Sequence, residues 1–95
     1  MKGKPDPAPT TEQINAAVMD IVVRRGLNAS ACPSDVARHL QPDNWRPLMP
    51  KVREVAAQLA QEGKISVTQR GSVLSPMEVW TGPIRLRLLA PNDKP

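Results

Sequence analysis

The chain has 95 residues, 40% of them apolar, with a net charge of +4 and a single cysteine. That length suits one domain with a modest core, not two. One cysteine excludes an internal disulfide and fits a reducing, cytoplasmic setting. No apolar run approaches the ~20 residues of a membrane helix. The opening MKGKPDPAPT carries lysines but no apolar stretch like that of a signal peptide, so a soluble protein with no membrane partner is expected.

Residues 1–10 hold three of the eleven prolines and read as a flexible tail, as does APNDKP at 90–95. The folded domain is therefore expected over 11–89. With two Trp and no Phe or Tyr, its core must be aliphatic.

TTEQINAAVMDIVVRRG reads as the first helix. Thr10 can cap it, with Gln13 completing a capping box. Ile14, Ala17, Val18, Ile21 and Val22 recur at helical spacing, and Gly26 can end it. CPSDVARHLQ reads as a short second helix with Pro33 in its first turn and Val36, Ala37 and Leu40 inward. Pro42, Asp43 and Asn44 mark a turn.

NWRPLMPKVREVAAQLAQEG (Asn44 to Gly63) reads as the third helix. Leu48, Val52, Val55, Ala56 and Leu59 fall on one core stripe. Arg46, Pro50, Arg53, Glu54, Ala57 and Gln61 lie on the opposite face, with Lys51 and Gln58 on its flank. Pro50 makes the first turn begin late or irregularly.

Ile65 and Val67 then alternate with Ser66 and Thr68 as a strand with one buried face. QRGS can turn, with Gly71 supplying a positive φ. SPME has the form of a capping box and predicts a single helical turn ending near Trp80. In GPIRLRL, Ile84, Leu86 and Leu88 point one way and Arg85 and Arg87 the other. The order helix, helix, turn, helix, strand, turn, strand is an α+β winged helix: a three-helix helix-turn-helix core with a C-terminal β-hairpin wing.

The motifs CPSDVARHL, WRPLMPKVREVAAQLAQEGKISVTQRG and GPIRLRL, spread over residues 14–88, together resemble a family of small bacterial proteins named only as a domain of unknown function. The resemblance implies a winged-helix-like fold. It implies no activity, ligand or catalytic residue.

Catalysis is not expected. The one histidine, His39, has Asp35 four residues earlier, a spacing that usually gives a surface pair. Cys32 is nearly two helical turns from His39, and no Gly-rich phosphate loop is present. Cys32 and His39 are too few soft ligands for a structural zinc site, and no cofactor or small-molecule ligand is implied. Cys32 precedes a helix N-terminus, where a thiol can become reactive; a small buried hydrophobe is the favoured role. Trp45 and Trp80 read as lids on the core rather than base-stacking platforms.

Charge points further. Residues 11–45 carry Arg24, Arg25 and Arg38 against Glu12, Asp20, Asp35 and Asp43, whereas residues 46–89 carry seven basic groups against Glu54, Glu62 and Glu78. An excess on one half suits a polyanion. The expected partner is double-stranded DNA, met by Arg46, Lys51 and Arg53 on the third helix and by Gln69 and Arg70 on the wing. Few groups there can read bases, so phosphate contacts should dominate. The competing reading is a protein-interaction or dimerisation module that uses Trp45, Pro47, Met49 and Pro50 as an apolar patch.

Overall fold

Thr10 opens the first helix as a two-way cap: its hydroxyl accepts the Gln13 N–H (3.1 Å), and its own N–H donates to Gln13 Oε1 (2.8 Å). The computed structural model describes residues 8–89. The tail expected over 1–10 falls on described residues only at 8–10, and the tail over 90–95 lies outside them. Helix α1 runs Thr11–Arg25 and stops at Gly26, whose φ of 80° lets its N–H close back on Val22 O. Helix α2 spans Pro33–Leu40. After the turn at 42–44, a 3-10 turn over Arg46–Leu48 leads into α3, Met49–Gln61. Proline at 47 and 50 explains this stepped start: each falls early in a helical segment, where its missing N–H leaves no bond broken.

The three helices bury Ile14, Val18 and Val22 from α1, Val36 and Ala37 from α2, and Val52, Val55, Ala56 and Leu59 from α3. The expected stripes are thus the core faces. Three strands follow: β1 Ile65–Gln69, β2 Ser72–Val73 and β3 Arg85–Leu88. The sheet is antiparallel in the order β2-β1-β3, with Ile65 opposite Leu88 and Val67 opposite Leu86. Ile65, Val67, Ile84 and Leu86 close the core from the sheet side, and Trp45 and Trp80 pack as partly buried lids. The result is an α+β fold, three helices and then a three-stranded antiparallel sheet, compatible with a winged helix.

Two details differ from expectation. First, the sheet has an extra strand. β2 is only two residues, both exposed, so no alternation marks it; it exists because Arg70 (φ 52°) and Gly71 (φ 84°) form a two-residue turn that folds the chain back on β1. Ala31, between α1 and α2, adds a further bridge to Leu86 on β3 (2.7 and 2.8 Å). Second, SPME forms a turn, not a helical one. Ser75 N–H reaches the Glu78 carboxylate (3.4 Å), Met77 N–H reaches Ser75 Oγ (3.1 Å), and Trp80 Nε1–H donates to Ser75 O (2.9 Å). The cap forms, but Met77 and Val79 are 79% and 91% exposed and supply no buried face on which a helix could be sustained.

Candidate nucleic-acid interface

The entrance to α3 gathers two arginines on one tryptophan. Arg46 lies over the Trp45 ring with its guanidinium carbon 4.6 Å from the centroid, and Arg38, from the last turn of α2, lies over the same ring at 4.5 Å. Both arginines are exposed. Among the described residues neither guanidinium makes a hydrogen bond or comes within 4.0 Å of a carboxylate oxygen. A cation–π contact draws on the charge of a guanidinium and leaves N–H groups available to a ligand. Arg38 was not among the expected contacts. It sits seven residues before Trp45 across a turn, and no periodicity links positions on two different elements.

Arg53 and Gln69, both expected to meet DNA, are partly buried and hydrogen-bonded to the long connection between β2 and β3. Arg53 donates to Trp80 O (3.3 Å) and Gly82 O (2.7 Å). Gln69 Nε2 donates to Thr81 O (2.6 Å) and Pro83 O (3.0 Å). The two side chains therefore take four successive carbonyls in alternation. Further along, Gln61 Nε2 meets Met77 Sδ (3.5 Å), so residues 77–82 run along the flank of α3 that carries Arg53 and Gln61. The sequence places that flank on an open face because the covering segment is invisible in a helical wheel.

The rest of the α3 surface is electrically balanced. Lys51 pairs with Glu54 (3.4 Å), and Glu62 pairs with Lys64 (3.4 Å). The Glu62 carboxyl is held below the usual carboxylate range, first by the hydrogen bond from Gln58 and then by Lys64. Arg85 and Arg87 are engaged with the α1–α2 connection: Arg85 reaches Ser30 Oγ (2.9 Å), Ser30 O (3.0 Å) and Cys32 Sγ, and Arg87 reaches Leu27 O (2.9 Å). Arg70 stands exposed at the hairpin tip with no hydrogen bond or ion pair among the described residues. The neighbouring Gln69 and the α3 residue Arg53 bond successive carbonyls of the same loop, residues 80–83.

The apolar patch expected at the start of α3 is small. Pro47 and Pro50 are exposed, but Met49 is partly buried against the core and Trp45 is covered by the two arginines. Apolar exposure is concentrated instead on the wing, where Val73, Met77 and Val79 are 74%, 79% and 91% exposed.

Cys32 is half-buried rather than sealed in the core. Asp35 does not pair with His39; its carboxylate accepts the Cys32 N–H (3.0 Å) and meets Arg25 (3.4 Å). No group of three His, Cys, Asp or Glu side chains among the described residues is placed to hold a metal. No helix among them is long and apolar enough to cross a membrane.

Residues 11–89 match the family model described as Protein of unknown function (DUF3253), and the chain belongs to that family. No curated protein matches it.

Proposed function

We propose that this member of the DUF3253 family is a DNA-associated accessory factor that grips the phosphate backbone of duplex DNA and reads little of its base sequence. The observation that carries the reading is Arg70. It occupies the left-handed region at φ 52°, a conformation that costs a residue with a Cβ roughly 1–2 kcal/mol and that favours Asn or Gly in a two-residue hairpin turn. Its side chain makes no hydrogen bond or ion pair among the described residues. The turn itself requires the positive φ; that an arginine with a free guanidinium stands there, where Asn or Gly would carry less strain, supports contact with an anionic ligand. Arg46 and Arg38 at the entrance to α3 add two further cations, and Lys51, paired with Glu54, adds a third.

Three to four phosphate contacts set the scale. With a slope of about −0.9 per contact in log–log salt dependence, affinity should fall roughly 40- to 150-fold between 50 and 200 mM salt. The balanced face of α3 supports backbone contact over base reading. The test is anisotropy titration of a labelled duplex at both salt concentrations, with wild type against Arg46→Ala/Arg70→Ala. The double variant should lose at least tenfold in affinity at 50 mM salt, with a shallower slope. Absence of wild-type binding at 50 mM, or a double variant that binds like wild type, rejects the reading.

The exposed wing residues Val73, Met77 and Val79 favour a second reading, docking on another protein or a second copy of the chain. Sedimentation over a concentration series would favour it if a dimer forms and Met77→Ser/Val79→Ser dissolves it.

A further inference from the structure

Arg38, Trp45 and Arg46 form a cluster that the fold itself does not explain. The two guanidinium carbons lie 4.5 and 4.6 Å from one ring centroid and so cannot be more than about 9.1 Å apart, the sum of the two distances. Two like charges this close repel, and no carboxylate within 4.0 Å of either relieves them among the described residues. Asp43, in the turn between them, is exposed and makes no ion pair there. Stacking on the indole offsets part of the repulsion and orders two side chains that are otherwise rich in rotamers.

We propose that these three residues are a preorganised phosphate clamp, with Arg38 and Arg46 as the binding groups and Trp45 as a positioning residue that holds both. The ligand chemistry follows from the donors. Guanidinium edges suit the paired oxygens of a phosphate, and two of them within 9.1 Å can meet one phosphate or neighbouring phosphates of a strand that carries one per about 3.4 Å of axis. Ordering the arginines before binding reduces the entropy lost when the ligand arrives. The clamp exists only in the folded chain, because Arg38 comes from α2 and Arg46 from the 3-10 turn beyond it. It also removes Trp45 from base stacking: the ring is packed against the core and covered by guanidinium. A single strand therefore gains nothing over a duplex at this site. The clamp rests on the DNA reading only for the source of its phosphate.

Two probes keep the two ideas apart. With isotope-labelled full-length chain at 50 mM salt, inorganic tripolyphosphate should shift the Nε–H signals of Arg38 and Arg46 and the indole N–H of Trp45, and leave those of Arg85, Arg87 and Trp80 in place. If neither Arg38 nor Arg46 moves, the clamp is wrong whatever binds DNA. In duplex titrations, Arg38→Ala should weaken binding about tenfold and reduce the salt slope by about 0.9, one phosphate contact. Trp45→Leu, with Trp45→Phe as the milder variant should the first unfold, keeps both charges; affinity should fall about threefold with the slope unchanged, as expected when preorganisation and not charge is lost. A duplex that binds wild type and Arg38→Ala equally overturns the clamp and spares the DNA reading. Tripolyphosphate shifts without any duplex binding sustain the clamp and end the DNA reading. A single strand preferred over duplex, with the preference lost in Trp45→Leu, overturns the clamp in favour of base stacking on Trp45.

Discussion

Arg53→Ala isolates the device that keeps the wing beside α3. The substitution removes two charge-assisted hydrogen bonds, one at 3.3 Å to the part-buried Trp80 O and one at 2.7 Å to the exposed Gly82 O. A hydrogen bond to a charged group contributes about 1.5–3 kcal/mol when shielded, while the exposed carbonyl can exchange its partner for water at little cost. The expected loss is about 1–2 kcal/mol, a fall in Tm of roughly 5–10 °C for a domain of this size. Gln69→Ala removes two neutral bonds to exposed carbonyls and should lose about 0.5–1 kcal/mol. Since both side chains hold residues 80–83, the first substitution loosens what the second would release. The double variant should therefore lose less than the sum, by about 0.5 kcal/mol or more. Arg53→Lys should recover only part, because one ammonium cannot reproduce a fork that spans two carbonyls. Urea unfolding with an unchanged m-value reads the stability, and amide exchange at residues 79–83 reads the loop. Additivity within about 0.3 kcal/mol, or an Arg53→Ala protein as stable as wild type, would refute the claim that these carbonyls are held by the two side chains rather than by solvent.

Two more outcomes test the surface. Arg70→Asn should raise stability by several tenths of a kcal/mol to about 1 kcal/mol, because Asn tolerates the left-handed region, and should weaken duplex binding; urea midpoints and anisotropy would show the opposed signs, and a loss of stability would mean that Arg70 serves the fold. Glu62 should titrate below the ordinary carboxylate range in an NMR pH series, because Gln58 and then Lys64 favour its charged form; its small contribution is fully present above the ordinary carboxylate pKa and is lost as pH falls through the lowered value. In Gln58→Ala the Glu62 titration should move back up.

The readable parts of the fold are those fixed by near neighbours. Thr10 and Gln13, Gly26, and the stripes of α1 and α3 depend on residues three to seven apart, and the alternation of Ile84, Leu86 and Leu88 depends on a period of two. The missed parts are set by segments far away in sequence. Arg53 meets carbonyls 27 and 29 residues on, and Gln69 meets others 12 and 14 residues on. A polar side chain on the outward side of a helix looks free until the loop that covers it is placed. β2 escaped because two exposed residues carry no pattern, and the turn at Ser75 looked helical because the same capping hydrogen bonds begin both structures.

The same distinction explains why charge counting overstates the number of free cations. Of the seven basic residues from 46 to 89, Arg53, Arg85 and Arg87 are engaged with backbone carbonyls, and Lys51 and Lys64 with glutamates. Arg46 and Arg70 remain. Arg38 joins them from the half of the chain whose net charge is negative. A polyanion responds to unpaired cations at fixed positions, not to a regional total. On the proposed reading, affinity should follow three arginines: Arg38 and Arg46, which lie over one indole, and Arg70 at the hairpin tip. Removing a charge and loosening a support should both weaken binding, but only removing the charge should reduce the salt slope.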